Sequence, residues 1–281
     1  MSGAAPVDVP TTPPIAVPLE RRRGRGLRVL RRVPAVVWGC LIILLVVVAS
    51  AVLAPILAPH APEDQSLVKR LQPPAWLPDG EATYPLGTDQ LGRDIFSRIL
   101  WGARISLAIG FFAVIIGSAF GSVMGLLAGY FGGWLDELIS TLADMQLAFP
   151  FILLAITIIA VLGPSELNLI VVVGVSGWMT YARVCRGVVL GLREREFVQA
   201  VRALGGEDSR IMFRHILPNI LSPIVVLATL DLARLIILES TLSFLGLGVQ
   251  PPKPSLGGML GQKLQRTVYL LEIPGNLNLR C

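Results

Sequence analysis

The chain has 281 residues, of which 53% are hydrophobic and 15% charged. Soluble globular proteins carry about 25% charged residues, so this composition excludes an ordinary water-soluble domain and points to membrane integration. The net charge of +5 does not indicate nucleic acid, because the basic residues cluster where a membrane protein places them. Cys40, Cys185 and Cys281 are odd in number and widely spaced, and the chain has two histidines, His60 and His215. Neither a disulfide framework nor a metal site follows from that set.

Residues 1–33 form a basic tail with seven arginines against Asp8 and Glu20, and they lack helical periodicity. The tail reads as disordered up to the arginine cluster at 21–32. Residues 34–58 (PAVVWGCLIILLVVVASAVLAPILA) are long and apolar enough for a first transmembrane span. So long a run after so long a tail does not fit a cleaved signal peptide. Residues 59–103 are mixed in charge and rich in proline, as an ordered external lobe with turns would be. Further spans are expected at 104–130, 143–163, 166–190 and 219–248. The fold class is therefore all-α, a polytopic integral membrane protein with five clear spans. Short basic loops stay in the cytoplasm, so the tail belongs there. Counting spans from the tail puts the segment 183–214, which holds seven more arginines, on the same side.

Within the second span, Gly117, Gly121, Gly125 and Gly129 recur every fourth residue along one helix face. Small residues at that spacing let another helix approach closely. Whether the neighbour belongs to this chain or to a partner is open at this point. Pro150, in LAFPFILLAI, opens the backbone of the third span near its inner end.

The stretch 197–219 (FVQAVRALGGEDSRIMFRHILPN) breaks the apolar pattern. Phe197, Ala200, Val201 and Leu204 form a helical stripe, Gly205 and Gly206 end it, and Asp208 or Ser209 can cap the next helix. Pro218 sits near the start of the following span, where its missing N–H costs least. Two short helices hinged at glycine are well shaped to meet a cytoplasmic partner; an ordinary basic loop is the plainer reading. Asp231 lies about 20 Å along the last span, deep in the bilayer, and Arg234 is three residues on. They can pair with each other, as a structural ion pair or on a solute pathway. Glu239, some 30 Å along, is expected at the outer interface.

REFVQAVRALG (195–205) followed by RHILPN (214–219) resembles the cytoplasmic loop of ATP-binding-cassette importer permeases, the loop named for Glu-Ala-Ala and a downstream glycine. Alignment on that glycine puts Gln199, Ala200 and Val201 at the Glu-Ala-Ala positions, Gly205 at the glycine, and Leu217-Pro218 at the closing Leu-Pro. Gln199, Val201 and His215 depart from the strict consensus. PLGTDQLGRDIFSRILWGARISL (85–107), AGYFGGWLDE (128–137) and ESTLSFLGLGVQPPKPSLG (239–257) are each similar to the second permease subunit of dipeptide, oligopeptide and nickel importers. The resemblance implies the transmembrane domain of a type I importer, with a core over 104–257 and a coupling loop over 191–218. It assigns Glu196, Gln199, Ala200, Arg202, Ala203, Gly205, Leu217 and Pro218 to contact with an ATPase. It also implies the partners: a second permease subunit, two cytoplasmic ATPases that bind ATP and Mg²⁺, and an extracytoplasmic solute-binding protein. The cargo implied is a di- or oligopeptide, with nickel or another small solute as the alternative.

No GxxxxGK[ST] motif occurs, so the chain does not itself cradle ATP phosphates. HExxH, paired CxxC and GxSxG are also missing, which leaves an intramembrane enzyme, the reading of a different class, without a visible catalytic set. Relatives of this kind have a sixth span after the external QPP loop. Here 258–281 is broken by Lys263, Gln265, Arg266, Glu272 and Pro274-Gly275, and reads as an atypical C-terminal segment.

Overall fold

The computed structural model describes residues 34–262. The readings for the tail 1–33 and for 263–281, including a sixth span, lie outside the described residues. The chain divides into two units, Met1–Leu45 and Val46–Cys281. All described helices are α-helical with short 3₁₀ and π turns, and no named strand occurs among the described residues.

Helix α1 (Ala35–Val52) is apolar on every side, as a helix surrounded by lipid must be. The expected span 34–58 is interrupted at Leu53, before the short α2 (Ala54–Leu57). Pro55 cannot continue the α1 hydrogen-bond ladder, so it serves instead in the first turn of α2.

The segment between α2 and residue 94 is folded by its own backbone. The Ser66, Leu71 and Ala75 amides donate to the carbonyls of Leu91, Asp89 and Pro85. Lys69 pairs with Glu81 at 2.9 Å and lies over the Tyr84 ring, and His60 stacks on the same tyrosine.

Helix α3 (Ile95–Phe131) begins nine residues before the expected 104, because Asp94 caps it. The Asp94 carboxylate accepts from the amides of Phe96 and Ser97 and from the Ser97 hydroxyl. A cap of this kind satisfies donors that the helix itself leaves free. Gly132, at φ +67°, ends the helix.

The expected third span 143–163 is not one helix. Helices α4 (Gly133–Ala148) and α5 (Phe151–Leu162) meet at a bend of 90°. Phe149 is extended (φ −97°, ψ 131°), as a residue before proline prefers, and Pro150 restarts the helix without an N–H to bond backwards. The fourth span is also in two pieces, α6 (Glu166–Ser176) and α7 (Trp178–Arg193), separated by Gly177. Among the described residues, four helical stretches are long and apolar enough to cross a membrane, and α4 with α5 makes a fifth if the bent pair is one span.

The last stretch is continuous. Helix α8 (Glu196–Ala203) ends at the glycine hinge, and α9 (Asp208–Arg210), a π turn (Ile211–Ile216) and α10 (Leu217–Phe244) follow without a break. Pro218 accounts for the π turn: it offers no N–H to the Arg214 carbonyl, and the preceding turn widens so that the Leu217 amide reaches Met212. The expected caps at Asp208 or Ser209 do not form; Glu207 holds the cap position without a side-chain bond.

The bundle is held by α3. Its glycine face packs against α6 and α7, and a cluster of Ile109, Ala113, Leu169, Val173 and Leu235 joins it to α10. Glu239 is fully buried within the bundle, with the Ser243 hydroxyl donating to its Oε1 at 2.7 Å. Burying a carboxylate is costly without such partners.

Candidate functional site

The glycine hinge has the geometry its sequence suggests. Gly205 has φ +78°, its amide bonds to Arg202, and the Gly206 amide bonds to Val201, which closes the end of α8. Glycine enters that left-handed region freely, whereas other residues are penalised. A β-carbon on Gly206 would sit 2.7 Å from a Val201 methyl, so both glycines are needed.

The helical stripe of α8 is divided in a way its spacing does not reveal. Val198 is 1% exposed and, with Val201, packs into a cluster of Tyr130, Val189, Ile211 and Ile216. Phe197, Ala200 and Leu204 face away, Leu204 being 88% exposed. One side of α8 thus grips its own bundle and the other presents an apolar edge outward. Glu196, Gln199, Arg202 and Ala203 are exposed beside that edge.

A polar latch fixes this arrangement. The Tyr130 hydroxyl, at the end of α3, donates to Asp208 at 2.5 Å and accepts from Arg202 at 3.2 Å. The Arg202 guanidinium also lies 5.6 Å from the Tyr130 ring centroid. The bond to Tyr130 holds the Arg202 pKa above its ordinary value. Arg193 donates to the Gly129 carbonyl at 3.3 Å, and α8 is tied back by Gln199 to the Glu194 carbonyl. Leu217 and Pro218 sit after the π turn, with Leu217 packed into the same cluster and Pro218 exposed.

The glycine face of α3 is satisfied within the chain. β-Carbons on Gly117, Gly121 and Gly125 would lie 2.7, 2.2 and 2.3 Å from the carbonyl oxygens of Gly174, Trp178 and Ala182. One on Gly129 would lie 2.8 Å from Val189 Cβ. The contacts advance together along both helices, so α3 runs parallel to α6 and α7. The Cys185 thiol lies in this seam, 3.2 Å from the Ser122 carbonyl.

A second constellation lies deeper. Arg234 and Asp231 face each other at 3.8 Å, a longer separation than a close ion pair. The Asp231 side chain is 9% exposed and the Arg234 side chain 67%. The Tyr181 hydroxyl donates to Asp231 Oδ2 at 3.1 Å. Beside them, a pocket of about 270 Å³ opens between the break at Phe149–Pro150, the break at Ser176–Gly177 and α10, with Arg234 in its wall. Gln146 holds the second break in shape: its amide donates to the Ser176 carbonyl at 3.3 Å and accepts from the Trp178 indole. Irregular backbone survives at membrane depth only where its polar groups are met in this way or line a wet cavity.

Residues 121–272 match the family described as the binding-protein-dependent transport system inner membrane component, and residues 24–74 match the N-terminal TM domain of oligopeptide transport permease C. The chain is 44% identical over 238 residues to a dipeptide transport system permease protein of Alkalihalophilus pseudofirmus, covering 84% of this chain and 76% of that one. It is 40% identical over 240 residues to a di/tripeptide transport system permease protein of Pseudomonas aeruginosa, covering 84% and 79%. It is 43% identical over 236 residues to a glutathione transport system permease protein of Pectobacterium atrosepticum, covering 84% and 76%. The chain belongs to the family of binding-protein-dependent inner-membrane permeases.

This permease is accordingly an all-α, multi-pass inner-membrane protein of the ABC importer type. Its sequence marks Gly205, the glycine face and the pair Asp231–Arg234 before any fold is known. It does not mark Tyr130, Val198, Gln146 or Gly177. Tyr130 and Gln146 act across 72 and 32 residues of chain, on Arg202 and Trp178, which no local pattern reports. Gly177 is one glycine among 28.

Proposed function

We propose that this permease carries di- or oligopeptides inward across the cytoplasmic membrane, and that loop 191–218 couples it to a cytoplasmic ATPase. The observation that carries the coupling half is the outward apolar edge of Phe197, Ala200 and Leu204, held rigid from behind by Val198, Val201 and the Tyr130 latch. An exposed apolar edge on a short, latched helix is a surface for a protein partner. Glu196, Gln199, Arg202 and Ala203 flank the contact, Gly205 sets its angle, and Leu217-Pro218 passes motion into α10. The relatives named for dipeptide and di/tripeptide transport support the cargo, and glutathione, named for another, is itself a peptide.

In this reading the permease pairs with a second permease subunit, two ATPases that bind ATP and Mg²⁺, and an extracytoplasmic solute-binding protein. The basic tail and loop face the cytoplasm, as their arginines favour. The test is ATP turnover and peptide uptake by the reconstituted importer. Ala200→Asp places a charge in an apolar contact at a cost of roughly 1–3 kcal/mol or more. Gly205→Val forces a branched side chain to φ +78°, costing about 1–3 kcal/mol. Both variants should insert normally, because no span is altered, yet lose the ATPase on purification or lose peptide-stimulated turnover. Wild-type ATPase association and peptide-stimulated turnover in both variants would remove the coupling assignment.

A further inference from the structure

The pocket beside Arg234 is the place where the 90° break at Phe149–Pro150 and the single-residue turn at Gly177 meet a charged side chain of α10. Arg234 lies 17 residues beyond Leu217, roughly 26 Å along a helix about 42 Å long, and so within the span. A guanidinium there is expensive unless it meets a partner or a wet cavity. Asp231 answers only part of that charge. It stands 3.8 Å away, and its Oδ2 is engaged by Tyr181. Among the described residues the Arg234 guanidinium makes no hydrogen bond within the chain, so its planar fork of donors remains available in the pocket wall.

The rest of the lining defines what could sit there. Gln146 is already committed to Ser176 and Trp178, while Phe149, Phe151, Leu154 and Met179 make the wall apolar. One guanidinium set in an apolar wall fits a carboxylate that carries an apolar group. Arginine binds carboxylates through two parallel hydrogen bonds, which lysine cannot reproduce. At about 270 Å³ the space falls just below the range for a drug-sized ligand, so it suits one end of a peptide and not the whole. We propose that Arg234 and this pocket form a transient subsite for the C-terminal carboxylate and last side chain of a peptide in passage. The inference rests on the peptide reading above and adds to it which end of the cargo the permease recognises.

The test compares Ala-Phe with its C-terminal amide as cargo for the complete reconstituted importer, using one binding protein throughout so that its own preference cancels. In R234Q, uptake of the acid should fall about tenfold or more, the discrimination that a lost charged hydrogen bond carries, while uptake of the amide changes little. R234K, which keeps the charge but not the fork, should fall between R234Q and the unaltered protein. Where uptake of either peptide is too slow to compare, equilibrium dialysis of both against the assembled complex without binding protein reads the same ratio. An equal fractional loss for acid and amide would mean that Arg234 only supports the fold, and would overturn the subsite. An unchanged ratio in R234Q would overturn it too, while leaving peptide import by the unaltered complex intact. Absence of peptide uptake in the unaltered complex would instead remove the cargo reading and this inference with it.

Discussion

Adding a single methyl group at Gly121 tests whether the α3–α7 seam is as close as the coordinates place it. The new β-carbon would stand 2.2 Å from the Trp178 carbonyl oxygen, 2.7 Å from Tyr181 Cβ and 3.0 Å from the Trp178 carbonyl carbon. An ordinary carbon–oxygen contact is about 3.3 Å or more, so the helices must part locally by roughly 1 Å. The obstructing atoms are mostly backbone, which cannot rotate aside as a side-chain tip would. Neighbouring contacts share the loss, because a gap of that size forfeits about a quarter to a half of each dispersion well. Overpacking costs about 1–3 kcal/mol. Gly187→Ala is the control: nothing lies within 4 Å of that position, and alanine there should be neutral or stabilising by about 0.5–1 kcal/mol. The assay uses Cys185, which is buried in the same seam, as the sole thiol after Cys40 and Cys281 are changed to serine. A cost near 2 kcal/mol raises the open population about 30-fold, and the labelling rate with a membrane-permeant maleimide should rise with it. Equal labelling rates for G121A, G187A and the parent would refute the close-packed seam.

Gln146→Leu should leave the Ser176 carbonyl and the Trp178 indole N–H without partners, costing about 1–3 kcal/mol for each buried group, and should lower the thermal unfolding temperature of the purified permease. A Gln146→Leu protein that melts with the parent would show that the break at Gly177 needs no such support. Single cysteines placed in 10–20 and in 206–210 should resist a membrane-impermeant maleimide in intact cells, while cysteines in 60–80 react. The opposite pattern would reverse the orientation drawn from the arginines and would put loop 191–218 out of reach of a cytoplasmic ATPase.

Much of this protein is legible in its sequence because lipid is an undemanding solvent to read. A span must be long and apolar to avoid the bilayer's penalty on polar groups, so α1, α3, the α6–α7 stretch and α10 announce themselves by length and hydropathy. The fourfold glycine repeat similarly declares that some helix comes close, and the positive φ of Gly205 is what a glycine after an amphipathic stripe foretells. What the repeat cannot declare is the identity of the neighbour. Only the packed bundle shows that Gly121 faces Trp178 and that the partner is in this chain. Hydropathy was also blind to the 90° bend at Phe149–Pro150, since both arms are apolar enough to be drawn as one span. The stripe of Phe197, Ala200, Val201 and Leu204 on α8 is divided by the fold: Val201 packs inward beside Val198, a residue outside the stripe, and Phe197, Ala200 and Leu204 are left outside. Periodicity reports which residues share a side of a helix. Which of them are buried depends on atoms contributed by segments far away in the chain, and the same holds for Arg234, whose charge is plain in the sequence and whose pocket exists only once three spans are packed together.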